Sequence, residues 1–478
     1  MKAKSKKTAG IMSIAENPWR KDSKNRYGTL KRYSNFISRR NVSICILLFL
    51  ALLTGFFSCR KDGLTLESSF GLNNAKLYPS DVINKWIGMQ LRLMKNATGI
   101  PNVAFSRYYA YSGVAAYEAL TPGLPRNEAL TAKWNGLTGL PEPDRGRFYY
   151  WPASVNTALA AMNRDIFTAA STADKAAIDS LEAALNNSFL TTHSADIVSR
   201  SNLFGGAVAS AVFNWSETDN YKNAGAPYTP PTGLGLWVPT PPALAKASTP
   251  FWGNNRPIVA GSIDNTQPGA PTPYSEDPSS PFFQMVKQVY DASQTLTTDQ
   301  TNMALFWRDI PGYSSPGHWL SILEQVLQNG NTSIAKAALA YAVTGTCLSD
   351  ACISCWQTKY HYNLVRPITY IRNVMGYTTW NPVLTTPAHP EYSSAHAVLS
   401  AATADAFTAI FGKIESFTDH TYDYLGFPAR TFTSFKAIGE DAGNSRLYAG
   451  IHYQPSIDTG LMQGRKVTRN ILRTLEMH

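Results

Sequence analysis

Three clusters of basic residues between positions 356 and 458 constrain the fold of this 478-residue chain more than any other feature. They read Lys359-x6-Arg366-Pro367, then Glu391-Tyr392-Ser393-Ser394-Ala395-His396, then Ser445-Arg446-x5-His452, with Asp458 beyond. Guanidinium groups hold oxyanion edges through paired hydrogen bonds, an ammonium adds a point charge, and amides at a helix start face an anion favourably. Two imidazoles remain, one to bond the central atom and one to move protons. The clusters therefore predict a fold that gathers them around a tetrahedral oxyanion.

This layout resembles the superfamily shared by type 2 phosphatidic acid phosphatases, bacterial acid phosphatases and vanadium-dependent haloperoxidases. The signature blocks of the superfamily are Lys-x6-Arg-Pro, Pro-Ser-Gly-His and Ser-Arg-x5-His-x3-Asp. The residues that match them are Lys359, Arg366, Pro367, Ser394, His396, Ser445, Arg446 and His452. The resemblance implies an all-α protein, a helical bundle of the acid phosphatase and vanadium haloperoxidase type. Helical periodicity along most of the chain, with hardly any strand-like alternation, favours the same class.

The chain departs from the signatures at three positions. Ser393 replaces Pro, and Ala395 replaces the Gly whose amide contacts the anion in the family. Ala395 keeps that N–H, so we expect the contact to survive if the turn does not need a positive φ. Asp458 lies six residues after His452, where the family has four, and is carried over as the carboxylate expected to orient His452.

If the chain is a haloperoxidase, the resemblance implies that His452 is the protein ligand of the vanadium in a vanadate cofactor. The residues expected to bind the vanadate oxygens are Lys359, Arg366, Ser394, Ala395 and Arg446. His396 would take a proton from hydrogen peroxide, and Lys359 would polarise the bound peroxide. His396, His452, Lys359 and Asp458 are therefore the predicted catalytic residues.

Two alternatives stay open. A phosphatase of the same superfamily would need no cofactor, because His452 would attack a phosphomonoester or lipid phosphate to form a phosphohistidine, and His396 would protonate the leaving alcohol. An inactive surface lipoprotein would keep the fold and only bind phosphate-like anions.

Two further residues favour the haloperoxidase branch. Trp356, three residues before Lys359, matches an aromatic residue beside the oxyanion pocket of haloperoxidases. His389, seven residues before His396, stands where chloride-oxidising members carry an aromatic residue and many bromide-oxidising members carry His. We therefore expect Trp356 and His389 to line a halide pocket, with bromide as the favoured halide and hydrogen peroxide as the oxidant.

The N-terminal segment resembles the signal of a bacterial lipoprotein. Residues 1–58 are strongly basic and end in the apolar run Val42–Phe57, about 16 residues, which is short for a membrane span of roughly 20. Ser58 then precedes Cys59, which would be lipidated and become the mature N-terminus. An uncleaved anchor and a twin-arginine signal at Arg39-Arg40 are the alternatives. Each places the protein outside the cytoplasm, and we expect a periplasmic or outer-membrane lipoprotein attached to the membrane by its lipid anchor.

The net charge of +10 belongs to this leader. Residues 1–58 hold 12 of the 43 basic residues and two of the 33 acidic ones, so the remaining 420 residues are formally neutral. The mature part therefore offers no general attraction for nucleic acid.

Along the chain we predict five parts. They are a signal peptide (1–58), a tether (59–80), an N-terminal helical region (81–216) whose first helix is capped by Ser80, a long Pro/Gly-rich covering loop (217–282) and a catalytic helical bundle with the oxyanion site (283–478). Cys347, Cys352 and Cys355 fall in a predicted helix, without a second Cys/His pair to complete a zinc site. We expect half-buried thiols, and a Cys347–Cys352 disulfide stays open. His318 is interpreted as structural.

Overall fold

A computed structural model describes residues 74–309 and 313–477. The predicted signal peptide, Cys59 and all but the end of the tether lie outside these residues, so the structure adds nothing on export or lipidation.

The prediction of an all-α protein is confirmed. The helices are α1 (Asp81–Asn96), α2 (Ala104–Glu118), α3 (Trp151–Ile166), α4 (Thr172–Phe189), α5 (Ala195–Ser216), α6 (Pro281–Gln294), α7 (Thr298–Phe306), α8 (Ser315–Asn329), α9 (Ile334–Tyr362), α10 (Pro367–Asn373), α11 (Ala395–Phe411), α12 (Phe435–Tyr448) and α13 (Gln454–Thr474). Two short strands, β1 (Phe417–Asp419) and β2 (Arg430–Phe432), pair antiparallel with Phe417 opposite Phe432. Sequence reasoning missed this hairpin and α10, since both are too short to show a period.

The centre of the fold is α9, which packs against α2, α11 and α13. Within the described residues it is the one helix long and apolar enough to cross a membrane, and 94% of its most apolar window is buried inside the protein. Its apolarity is therefore explained by contact with other helices. Helix α2 of the N-terminal region packs against α9 of the bundle, so the two regions share one hydrophobic core.

Two glycines let α2 and α9 approach closely. A Cβ at Gly113 would lie 2.5 Å from the carbonyl oxygen of Tyr341, and one at Gly345 would lie 2.9 Å from the Cα of Ala110. Any larger residue at either position would push the two helices apart.

Ser80 stands at the predicted N-cap position of α1, but its side chain does not form the predicted capping hydrogen bond. Ser80 is the N-cap residue, but its backbone is helical (φ −77°, ψ 0°) and its side chain accepts no bond from a first-turn N–H. A capping hydroxyl needs an extended N-cap backbone. The Ser80 hydroxyl instead accepts from the side chain of Asn84 at 3.3 Å.

Between α5 and α6 the described residues 217–280 form short 3₁₀ turns and two isolated β-bridges, at Leu236 and Val259. Asp350 of α9, fully buried, anchors this segment by accepting from the backbone N–H groups of Ile258 (2.8 Å) and Val259 (3.2 Å) and from the Ser262 hydroxyl (2.7 Å). Burial raises the pKa of Asp350 to about 7, against these hydrogen bonds. The segment also reaches the site region, where the Ser248 N–H donates to the Ala388 carbonyl at 2.7 Å.

The three cysteines of α9 are separate thiols, and they are fully rather than half buried. Cys347 and Cys352 therefore do not form the disulfide that the sequence left open. Both lie on one continuous helix, which such a bond would distort. His318 is also fully buried; its Nε2 lies 2.7 Å from Asp419 and its ring stacks on Trp307 at 4.2 Å. These contacts fit the structural role predicted for His318.

Candidate active site

Residues of the second and third basic clusters line one cavity of about 270 Å³, and Arg366 of the first cluster lies against its wall through contacts with His389 and His452. Lys359 comes from the last turn of α9, and Arg366 is the residue directly before α10. His396 lies in the first turn of α11, Arg446 in the last turn of α12, and His452 in the connection between α12 and α13. The walls of the cavity include Asn102, Ser248, Asp309, Trp356, His389, Ala395, His396, Arg446 and His452. Helix ends from distant parts of the sequence thus build one basic site.

Arg366 is fully buried, and each nitrogen of its guanidinium group is hydrogen bonded. Nε donates to the carbonyl oxygen of His389 at 2.8 Å, and Nη1 donates to that of Ile451 at 2.8 Å. Nη1 also lies 3.1 Å from His452 Nε2, and Nη2 lies 2.9 Å from His389 Nδ1. Burial lowers the pKa of Arg366 to about 10, with Glu391 opposing, so the group stays charged at neutral pH.

Lys359 is a fully buried lysine without a bonded carboxylate in the described residues. Its Nζ donates to the carbonyl oxygens of Pro390 and Glu391, both at 2.9 Å. Burial lowers the pKa of Lys359 to about 7. The ammonium is therefore poised between its charged and neutral forms, and a bound anion would favour the charged one.

His396, Arg446 and Asp309 line the cavity together. Arg446 Nη1 donates to the Trp307 carbonyl oxygen at 2.8 Å, and burial lowers the pKa of Arg446 to about 10. His396 Nε2 lies 3.7 Å from Asp309 Oδ1, beyond hydrogen-bond distance. Burial, assisted by Arg446, lowers the pKa of His396 well below its usual value, so its imidazole is neutral and can accept a proton.

The carboxylate that binds His452 is Glu391, and the assignment of Asp458 to this role is wrong. Glu391 Oε1 lies 2.7 Å from His452 Nδ1. Asp458 is exposed and accepts from the Gln454 side chain, one helical turn earlier, at 2.8 Å. Because α13 begins at Gln454, Asp458 falls on its solvent face.

Glu391 belongs to the second cluster of the sequence, but no role was predicted for it. The signal that could have found it is an acidic residue between an apolar Pro390 and Tyr392, in a segment that must be buried beside the oxyanion site. A buried carboxylate needs a donor, and His452 is one.

Trp356 and His389 lie side by side in the cavity wall. Their ring centroids are 5.1 Å apart at an interplanar angle of 51°. Because a guanidinium group can only donate, the 2.9 Å contact with Arg366 makes His389 Nδ1 an acceptor and leaves the proton on Nε2. The weaker 3.3 Å approach of Nδ1 to the Pro390 carbonyl does not change this.

Residues 339–478 match the model of the VCPO second helical-bundle domain. A bacterial vanadium-dependent iodoperoxidase of known structure is 32% identical, with a TM-score of 0.75, and the match covers 83% of this chain and 96% of that one. The chain belongs to the vanadium-dependent haloperoxidase family. A holo-type bacterial vanadium-dependent chloroperoxidase shares the fold at 16% identity, with a TM-score of 0.62 and coverage of 80% of this chain and 94% of that one. No curated protein matches.

This membership confirms the predicted superfamily and makes the protein one of a family of oxidoreductase enzymes. The structure accommodates the departures from the signature blocks at Ser393 and Ala395. Ser393 donates a 2.6 Å hydrogen bond from its hydroxyl to Gln463, deep between helices. Ala395 is the first residue of α11 and does not have a positive φ, so its Cβ is compatible with the turn.

Buried polar atoms at the site fit vanadate. Ser394 Oγ, Arg446 Nε, His396 Nε2 and Trp356 Nε1 are buried and have no hydrogen-bond partner among the described residues. A buried polar atom left without a partner costs about 1–3 kcal/mol, and such atoms are uncommon in a folded protein. Similar atoms occur elsewhere in the described residues, such as Ser154 Oγ and Trp237 Nε1. What distinguishes this site is that three of the atoms, on Ser394, Trp356 and Arg446, are donors at a basic site, which suits a negatively charged ligand. Among the described residues no three His, Cys, Asp or Glu side chains converge to hold a metal cation.

Proposed function

We propose that this protein uses hydrogen peroxide to oxidise halide at a vanadate held in the basic cavity. The observation that carries the proposal is one small cavity lined by Arg446, His396 and His452. The buried Arg366 contacts the lining residues His389 and His452, and the buried Lys359 donates to the neighbouring Pro390 carbonyl. The likeness to a bacterial vanadium-dependent iodoperoxidase at 32% identity supports the same chemistry.

The residues that would hold vanadate are arranged by the contacts already described. His452 would offer Nε2 to the vanadium, and Arg366, which now contacts that nitrogen, would turn its Nη1 hydrogen bond to an oxygen. Ser394 Oγ and Arg446 Nε are buried donors without partners in the described part of the chain, and the Ala395 N–H is free at the start of α11. Bound vanadate would supply a Lewis-acidic centre at which peroxide becomes a stronger oxidant.

His396 would act as the general base that takes a proton from the incoming peroxide. Its neutral imidazole accepts a proton, and the resulting cation would be stabilised by Asp309, 3.7 Å away. Burial raises the pKa of Asp309, with Arg446 opposing. Lys359, held by two backbone carbonyls, would add positive charge near the oxyanion.

Trp356 and His389 would form the wall against which the halide binds. The Nε2–H of His389 and the indole N–H of Trp356 are both donors, and halides accept hydrogen bonds. We propose iodide and bromide as the substrates ahead of chloride, since both are easier to oxidise. The likeness to an iodoperoxidase favours iodide, and His389 in place of an aromatic residue favours bromide.

A paired assay tests the proposal. Protein loaded with orthovanadate should oxidise iodide and bromide in the presence of hydrogen peroxide, with a smaller rate for chloride. His452→Ala should abolish this activity, because it removes the nitrogen expected to bind vanadium. His396→Ala should lower kcat by about 10²–10⁴-fold, the usual contribution of a general base.

The same preparation without vanadate is given a phosphomonoester and a lipid phosphate. Phosphate release without halide oxidation would show that the chain is a phosphatase. Inactivity in both assays, with vanadate still bound, would leave only anion binding.

A further inference from the structure

Glu391 contacts two residues of the oxyanion site at once. It is fully buried, and its Oε1 accepts from His452 Nδ1 at 2.7 Å and from the Tyr453 N–H at 3.0 Å. Its carbonyl oxygen accepts from Lys359 Nζ at 2.9 Å. One residue therefore holds both the histidine expected to bind vanadium and the buried lysine.

The contacts on the two sides of His452 determine where its proton lies. A carboxylate oxygen only accepts, so Nδ1 must be the donor in the 2.7 Å contact with Glu391. On the other side, Nε2 lies 3.1 Å from Arg366 Nη1, and a guanidinium group only donates. Both contacts place the proton on Nδ1 and leave the lone pair on Nε2, which is the nitrogen available to a ligand.

We propose that Glu391 is the positioning residue of His452: it fixes the Nδ1–H tautomer, orients the ring, and increases the electron density that Nε2 offers to vanadium. Carboxylates that accept from a metal-binding histidine act in this way, and their loss typically weakens metal affinity about 10–100-fold. The identity of the oxyanion rests on the proposed function, whereas the proton position does not.

Glu391 has two opposing effects on an anion, and these can be separated. Its negative charge repels an oxyanion, while its hydrogen bond makes His452 a better ligand. Sulfate feels the charge but forms no bond to imidazole, whereas vanadate feels both. Glu391→Gln keeps an oxygen that can accept from Nδ1 and removes the charge. Glu391→Leu removes both the charge and the acceptor.

The experiment measures vanadate and sulfate binding by calorimetry for wild type, Glu391→Gln, Glu391→Leu and the matched control Asp458→Asn. We expect vanadate affinity to fall about 10–100-fold in the Leu variant, to fall less in the Gln variant and to stay unchanged in the control. Sulfate should bind the Gln variant at least as tightly as wild type. In ¹⁵N NMR spectra of the wild type, assigned by comparison with His452→Ala, Nδ1 of His452 should be protonated and Nε2 unprotonated.

Several results would overturn the proposal. One is tighter binding of both vanadate and sulfate to the Gln variant, which would mean that Glu391 acts on anions only through its negative charge. Another is an Nε2-protonated His452 in the wild type, and a third is wild-type vanadate affinity in the Leu variant. If the Leu variant does not fold, the Gln variant and the NMR spectrum still decide. A wild type that binds no vanadate would refute the proposed function, while the position of the His452 proton would still test Glu391.

Discussion

Two buried clusters of charge in this protein are built in opposite ways. In the N-terminal helices, Arg107 donates to Asp219 at 2.6 Å, and the Tyr111 hydroxyl donates to the same oxygen at 3.0 Å. Although burial acts to lower it, the pKa of Arg107 is raised by Asp219 and Tyr111. At the oxyanion site, Arg366 and Arg446 donate to backbone carbonyl oxygens, and burial lowers the pKa of each to about 10.

The difference shows what each cluster is for. Arg107 and Asp219 neutralise each other, so their cluster needs nothing from solution and holds α2 to the end of α5. At the oxyanion site Lys359, Arg366 and Arg446 donate to neutral carbonyls and, among the described residues, form no ion pair with a carboxylate. The two carboxyl groups at the site, Glu391 and Asp309, are fewer than the three cations. A buried positive charge that is oriented but not neutralised is a site for an anion.

The largest expected effect comes from replacing one arginine in each cluster by methionine, which should change stability in one cluster and anion binding in the other. Arg107→Met should cost about 3–5 kcal/mol of unfolding free energy, because it leaves Asp219 buried without a counter-charge. Arg366→Met should cost less stability but weaken vanadate binding about 10–100-fold, the worth of one or two charge-assisted hydrogen bonds. Urea unfolding and calorimetry measure the two quantities.

The comparison breaks if the two variants behave alike. If Arg366→Met binds vanadate as the wild type does and loses as much stability as Arg107→Met, then Arg366 is a structural residue.

A second expected effect is a pH dependence that only the oxyanion site should show. Below about pH 7 Lys359 is charged in the free protein, and above it the free protein loses that proton. A bound anion keeps the lysine protonated, so binding takes up a proton at higher pH. The dissociation constant of sulfate, whose own charge is constant in this range, should therefore rise by up to about tenfold per pH unit above pH 7.

Calorimetric titrations between pH 6 and pH 9 would measure this slope. Lys359→Met should bind sulfate more weakly at pH 6 and should lack most of the slope. An equal slope in that variant would assign the proton to another group.

The smallest expected effect concerns the Ala395 methyl group. Ala395→Gly restores the residue of the family signature, but Ala395 has no positive φ to relieve. We expect less than about a threefold change in vanadate affinity and a loss of about 0.5–1 kcal/mol in unfolding free energy from the freer backbone. A tenfold gain in affinity on calorimetry would mean that the Cβ obstructs the anion, and that charge alone does not determine the affinity of the site.

Local sequence patterns predicted the helices well and one important contact wrongly. The long helices were predictable because apolar residues recur at helical spacing, and in α1 and α5 they bury one face. The partner of His452 was not, because Asp458 is only the first acidic residue after His452 in the sequence, while Glu391, 61 residues earlier, lies beside it in space. A hydrogen bond depends on the position of two atoms, and spacing determines that position only within one element.

The sequence by itself determined the helical class, the residue types of the oxyanion site and the superfamily, since these depend on periodicity and on the spacing of residues within each cluster. Only the tertiary structure decided how the clusters meet. It showed that Arg366 touches His452 and His389, that Lys359 is held by the carbonyls of Pro390 and Glu391, and that Asp458 faces solvent. These contacts join helix ends that the packing of α9 and α11 brings together, and packing depends on the whole chain at once.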